Sequence, residues 1–250
     1  MSQTDGLQRQ HRIAVIGAGL AGTSMASMLS TAGYKNLVLF EAEPSIDASQ
    51  SAIVPLVRFG TRINEVHYQT SGPAWNLVAT NGETYEADVV VSTIWPPSGE
   101  VDFGSQPPSH GWRSRLFYLR NPDEAPVIEL VAPPMSIVGR NEVSLAEAWR
   151  GGPMTYLGIV SPGFPNLFLV AQVNEGDGAG VHLNESQGRF VLAALAALDR
   201  RGADEVEVSR AVATAAMDEF KSLSFSTSYW WKCRRFSSKA FSFGQRSQKR

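Results

Sequence analysis

Six consecutive residues, Gly17-Ala18-Gly19-Leu20-Ala21-Gly22, carry the glycine spacing of a phosphate-binding turn. The apolar run Ile13-Ala14-Val15-Ile16 precedes them, and a helix-like stretch from Thr23 to Thr31 comes after. In such a unit the first glycine permits a tight turn and the second lets the main chain approach a diphosphate. The third lets the helix pack closely on the strand. The helix N-terminus then offers N–H groups and the positive end of its dipole to the phosphates. A second apolar run, Leu37-Val38-Leu39-Phe40, ends at Glu41, 24 positions past Gly17. An acid at that place accepts hydrogen bonds from an adenosine ribose and repels a ribose 2′-phosphate. The pattern predicts an adenine dinucleotide, FAD or NAD(H) rather than NADP(H), held by these seven residues.

Other chemically capable side chains are scattered. His67, His110, His182, Glu175 and Asp177 are the titratable candidates for acid–base chemistry, but each reads more readily as an ordinary loop or surface residue. Cys233 is the only cysteine, which excludes an intrachain disulfide, and beside Trp230 and Trp231 it reads as a passive thiol. No residue is assigned to a metal.

The elements that must position the turn are read from periodicity. Three short strands are predicted over Ile63 to Tyr68, Trp75 to Ala79 and Thr84 to Ala87, joined by Ser71-Gly72-Pro73 and by the hairpin pair Asn81-Gly82. Asp88 to Thr93 is apolar almost throughout, as a parallel strand buried on both faces must be. Residues 94–114 are punctuated by proline and glycine and read as an irregular connection, with strand-like pieces at Leu116-Phe117-Tyr118 and Val127 to Val131. A short helix is expected from Ser144 to Trp149, a buried strand from Leu167 to Val173, and amphipathic helices over 186–198 and from Arg210 to Leu223.

Composition sets the class. The chain has 250 residues, 43% hydrophobic and 18% charged, as an ordinary globular protein does. Residues 1–11 lack the apolar segment of a signal peptide, and no apolar run approaches the ~20 residues that span a bilayer. A cytoplasmic protein without a transmembrane segment is the expectation. The net charge of −2 is uneven: seven of the 22 Lys and Arg residues, and no acid, lie from Lys232 onward. That serine-rich segment is predicted to be a disordered, solvated tail, and it implies no nucleic-acid partner.

A longer pattern is more specific. Gly139-Arg140, Ser144-Leu145-Ala146-Glu147-Ala148-Trp149, Gly152-Pro153, Tyr156-Leu157-Gly158 and Pro162-Gly163-Phe164-Pro165-Asn166-Leu167-Phe168 resemble the C-terminal flavin-domain segment of Baeyer–Villiger monooxygenases, which are class B flavoprotein monooxygenases. Glu185 and Gln187, with the helical run after them, resemble the family's next element. The chain also departs from the family. About 35 residues stand where a whole NADPH domain is expected, and no second G-x-G-x-x-G occurs. Ala42 to Pro55 lacks the family's Gly-Gly-Thr-Trp, and Phe103-Gly104, His110 and Trp112 do not have the spacing of its fingerprint. Ser92-Thr93-Ile94 replaces an Ala-Thr-Gly, and Gln172-Val173-Asn174 replaces a Gly-Pro-Asn. No arginine among Arg113, Arg115, Arg120 and Arg140 matches the one that the family's NADPH domain contributes.

The resemblance implies an α/β fold: a Rossmann-like FAD-binding parallel sheet with an antiparallel β-meander, discontinuous in sequence. Its segments would be 1–93 and 139–231 for the two parts of the FAD-binding domain, 94–138 for an insert in place of the NADPH domain, and 232–250 for the tail. It implies FAD as cofactor, with Asn174 added to the binding residues, and NADPH as an external reductant without a dedicated domain. The implied activity is oxygenation of a carbonyl group in a small organic substrate, such as a secondary metabolite, by a peroxyflavin. A non-redox enzyme on the same scaffold (cyclase, isomerase or dehydratase) and a non-catalytic FAD-binding subunit remain open alternatives. Loss of a packed domain exposes apolar surface, so a homodimer or a partner protein is expected to cover residues 94–135 and the Trp230-Trp231 region.

Overall fold

The computed structural model describes residues 11–45, 53–71, 74–94, 135–150, 154–170, 179–222 and 236–245. A five-stranded sheet forms its centre, in the order β3 (Val57–Arg58), β2 (Leu37–Phe40), β1 (Ile13–Ile16), β7 (Val89–Ser92) and β9 (Leu167–Leu169). Every pairing in it is parallel. A second sheet has the order β6 (Thr84–Ala87), β5 (Trp75–Ala79), β4 (Ile63–Tyr68) and β8 (Ser136–Val138). Here β4, β5 and β6 form an antiparallel meander, and β8 adds to β4 in parallel.

Strands β1, β7 and β9 are buried on both faces, and their alternation sorts side chains between two cores. Ile13, Val15, Val89, Val91 and Phe168 join α1 (Leu20–Thr31) and α3 (Ala179–Arg201) on one side. Ala14, Ile16, Val90, Leu167 and Leu169 join Val66, Trp75, Leu77 and Ile137 of the meander sheet on the other. The fold is therefore three layers, helices over parallel sheet over meander. Each fully buried Ile, Leu, Val or Phe contributes about 1.5–3 kcal/mol by removal from water, so both faces of the central sheet hold the glycine turn in place. Arg12 fixes the start of β1 to that of β7: its main-chain N–H and its guanidinium both donate to the Asp88 carboxylate, at 2.9 to 3.2 Å. That hydrogen bonding holds the Arg12 pKa above its ordinary value.

The meander strands, the apolar strand after Asp88 and the helix capped by Ser144, here α2 (Leu145–Ala148), form where the sequence predicts them. Three pairings were not predicted. Two-residue β3 extends the central sheet, β8 extends the meander, and β10 (Glu205–Val208) pairs antiparallel with β11 (Phe241–Gly244). The last pairing overturns the expectation of a disordered basic tail for residues 236–245. Phe236 and Phe241 stack at 4.9 Å between centroids, and both rings approach Phe190 of α3. Aromatic burial fixes this segment despite its serine and lysine content. The helix α4 (Arg210–Ser222) comes directly after β10. Residues 95–134 and the Trp230-Trp231 pair, with Cys233, lie outside the described residues.

Candidate functional site

The glycine turn sits at the C-terminal ends of β1 and β2. Gly17 adopts φ +96°, in the region that glycine alone enters without strain, and its N–H donates to Phe40 O at 2.9 Å. Gly19 is the extended N-cap of α1, with no side-chain cap and no acid in the first turn. Gly22 has no alternative: a Cβ built on it would lie 1.8 Å from Gly17 O. The helix is thus pressed against the turn. Its first helical bond runs from Thr23 N–H to Gly19 O at 3.0 Å. The N–H groups of Leu20, Ala21 and Gly22 precede that ladder and lie in the position that receives an anion.

Glu41 meets the turn from β2. Its Oε2 accepts from Ala18 N–H at 2.7 Å, and its Oε1 accepts from Glu43 N–H at 3.0 Å. An ionised carboxylate accepts about four hydrogen bonds, so each oxygen keeps capacity for a donor such as a ribose hydroxyl. On the other flank, Thr93 is fully buried, and its Oγ1 lies 2.9 Å from Ile16 O and 3.1 Å from Gly17 O, donating to them. Thr93 thereby ties the end of β7 to the turn. Because β1 lies between β2 and β7, the chain leaves it toward opposite sides, and the crevice at that switch point is where open α/β sheets bind ligands. The absence of a Cβ at Gly22, the uncapped helix start and the oriented acid all fit the adenosine diphosphate part of FAD.

The structure brings Gly17, Ala18, Gly19, Leu20, Ala21, Gly22 and Glu41 together. Asn174 lies outside the described residues, as do His110, Glu175, Asp177, Arg113, Arg115 and Arg120. His182 falls on α3, with its side chain outside them too. His67 is on β4, away from the turn, with Nε2 3.2 Å from Glu65. Among the described residues no group of His, Cys, Asp and Glu could hold a metal, and no helix is long and apolar enough to cross a membrane.

Sequence reasoning missed two polar centres that support the site. Asn166 adopts φ +57° and is buried. Its Nδ2 donates to Asp88 O and Asp204 O, and its Oδ1 accepts from Val206 N–H, all at 2.8 to 2.9 Å. One side chain thus joins β7, β9 and β10. The second centre is Arg140, which is not a free surface arginine. Its Nε donates to Glu207 at 2.9 Å, a second guanidinium nitrogen donates to buried Glu205, and the group covers the Tyr68 ring at 4.9 Å. The Tyr68 hydroxyl also donates to Glu205. Partial burial works against the Arg140 charge, but the Glu207 hydrogen bond and the Glu205 charge outweigh it and hold its pKa above the ordinary value.

Comparison with known proteins gives the same fold. No family model matches the chain. The chain is 38% identical over 78 residues to a Baeyer–Villiger monooxygenase of Pseudomonas aeruginosa, which is 30% of this chain and 15% of that protein. It is 36% identical over 79 residues to neopentalenolactone D synthase of Streptomyces avermitilis, 30% of this chain and 13% of that one. The chain thus matches under one sixth of the length of these curated relatives. Among solved structures, OTEMO in complex with FAD and NADP superimposes with a TM-score of 0.66 at 14% identity, covering 94% of this chain and 99% of that one. The resemblance read from the sequence is borne out over part of the chain, and the architecture is that of the class B flavin monooxygenases.

Proposed function

We propose that this chain binds FAD and works as a Baeyer–Villiger-type flavoprotein monooxygenase on a small organic carbonyl compound, with NADPH as the reductant. The observation that carries the reading is the glycine turn with Glu41 hydrogen-bonded to it, in a chain that shares 38% identity over 78 residues with a Baeyer–Villiger monooxygenase. The bound flavin supplies two-electron reduction and reaction with oxygen.

The chain's own residues supply position and environment. The N–H groups of Leu20, Ala21 and Gly22 hold the diphosphate at the helix dipole. Glu41 accepts the ribose hydroxyls and, already bonded to Ala18, does so without reorganising. Asn174 is assigned a further contact with the cofactor. The two apolar cores that enclose the central sheet keep water from beneath the crevice. The neopentalenolactone D synthase match favours a secondary-metabolite substrate, and a second copy or a partner protein covers residues 94–135.

Purified protein tests this directly. A flavin absorption spectrum, or its appearance on adding FAD, followed by carbonyl-dependent NADPH oxidation, is expected. A colourless protein that takes up no FAD overturns the proposal. Retained FAD, with product formed from substrate under anaerobic conditions without reductant, would replace it by non-redox chemistry on this scaffold.

A further inference from the structure

Resting on that reading of an adenine dinucleotide at the glycine turn, we infer that Ile94 is the specificity-determining residue of the crevice: it favours the ADP part of the ligand over the part beyond the diphosphate. Strand order carries the first step. Glu41 ends the β2 side of the turn and Thr93-Ile94 ends the β7 side, with β1 between them. A ligand whose adenosine ribose meets Glu41 and whose diphosphate crosses the start of α1 must send its second half toward β7.

Ile94 stands in that path. A Cβ built on Gly17 would lie 2.6 Å from Thr93 Oγ1 and 3.2 Å from Ile94 Cγ1, so these two side chains fill the space over the Gly17 α-carbon. The Thr93 hydroxyl is fixed to Ile16 O and Gly17 O, which leaves the next residue no freedom to swing away as a rigid unit with β7. Ile94 is nevertheless 38% exposed, and with Leu20 it is one of two exposed large apolar residues beside the turn. A branched aliphatic side chain there takes up volume and offers no hydrogen bond. The phosphate ester and polyol hydroxyls of FAD lose water against it without replacement partners, at a cost that ADP does not meet.

The test uses the full chain, freed of bound ligand, and titrations of FAD and of ADP by calorimetry on the wild type, Ile94→Ala and Ile94→Gly, with thermal melts showing that each variant is folded. The Gly variant is expected to bind FAD about tenfold more tightly than the wild type, with Ala between them and ADP changed by less than about twofold. FAD affinity that is unchanged or weaker in both variants while ADP affinity holds overturns the role of Ile94 and leaves the dinucleotide site standing. Failure of both ligands to bind the wild type removes the dinucleotide reading, and the Ile94 inference with it.

Discussion

The Ala18 N–H donates to Glu41 Oε2 at 2.7 Å, joining the second residue of the glycine turn to the acid that ends β2. Ala18 and Glu41 are 23 positions apart, yet one hydrogen bond fixes both the turn and the carboxylate before any ligand arrives. The acid is thereby oriented for a ribose, and the turn gains an anionic partner near the start of α1.

Replacement of Glu41 separates these two roles. Glu41→Gln retains an acceptor for Ala18 but loses the charge, and charge-assisted hydrogen bonds are roughly twice as strong as neutral ones. ADP affinity should fall by about tenfold or more, a loss of about 1.5 kcal/mol, with little change in melting temperature. Glu41→Ala should weaken ADP further and also lower the melting temperature. Calorimetric titration and thermal melts of the two variants check both statements.

Gly22 has a sharper requirement. Gly22→Ala places a methyl group 1.8 Å from Gly17 O, and main chain rather than a flexible side chain must move. We expect a loss of about 3 kcal/mol or more, seen as insoluble protein or a much lower urea midpoint. A Gly22→Ala protein with unchanged midpoint and unchanged FAD content would show that α1 does not press on the turn.

How much of this was legible in the sequence depends on how local each signal is. The turn, α1 and β2 lie within 17–41, and the three glycines and the acid that define them sit in that window, so the pattern could be read directly. The meander is equally local, with Asn81-Gly82 supplying its second turn. By contrast, nothing local marks Glu205 as buried, because the partner that makes it tolerable inside is Arg140, 65 positions away. Strand β11 hid in a serine-rich basic stretch for the same reason: β10, Tyr156 and Phe190, all distant in sequence, are needed to show why Phe241 is buried. Asn166 lay within the quoted resemblance, but its left-handed backbone and three cross-strand hydrogen bonds leave no periodic trace.

Asn166 should be among the least replaceable residues of the fold. Asn166→Ala removes two donor contacts and one acceptor contact, takes the acceptor away from the buried Val206 N–H and forces a Cβ-bearing residue without side-chain compensation into φ +57°. A cost of about 3–5 kcal/mol is expected. Asn166→Gly relieves the backbone strain alone and should recover about 1 kcal/mol of it. Urea denaturation of the two variants orders them, and equal midpoints would remove the backbone part of this account.

Tyr85 and Glu83 give the fold a small dependence on pH. The Tyr85 hydroxyl donates to the Glu83 carboxylate, which holds Glu83 below the usual carboxylate range and Tyr85 above the usual phenol range. The depressed acid stabilises the fold above its unfolded-state value of about 4.3, and this is lost as pH falls through the folded value. The raised phenol contributes below about pH 10, and its share is lost as pH rises through the folded value. The difference in urea midpoint between wild type and Tyr85→Phe should therefore be greatest near neutral pH and shrink in acid. A difference independent of pH would assign the effect to the ring contact with Phe40 instead.

Arg140 and Glu205 supply the test of how β10 is held to the meander. Glu205 is buried and receives donors from Arg140 and Tyr68, while Arg140 also reaches Glu207, whose second oxygen accepts from Gly163 N–H at 2.7 Å. Arg140→Met keeps much of the side-chain volume but takes the guanidinium away from a buried carboxylate. With Arg140 about one third exposed, solvent screens the pair, and breaking it from one side costs about 1–3 kcal/mol. The double variant Arg140→Met/Glu205→Gln removes the buried charge and should recover at least half of the loss at neutral pH, because a neutral amide can still pair with Tyr68. Urea midpoints of the three proteins at neutral pH decide the matter. A double variant no more stable than Arg140→Met alone would mean that packing of the guanidinium on the Tyr68 ring, rather than charge, holds the β10–β11 ribbon against the meander.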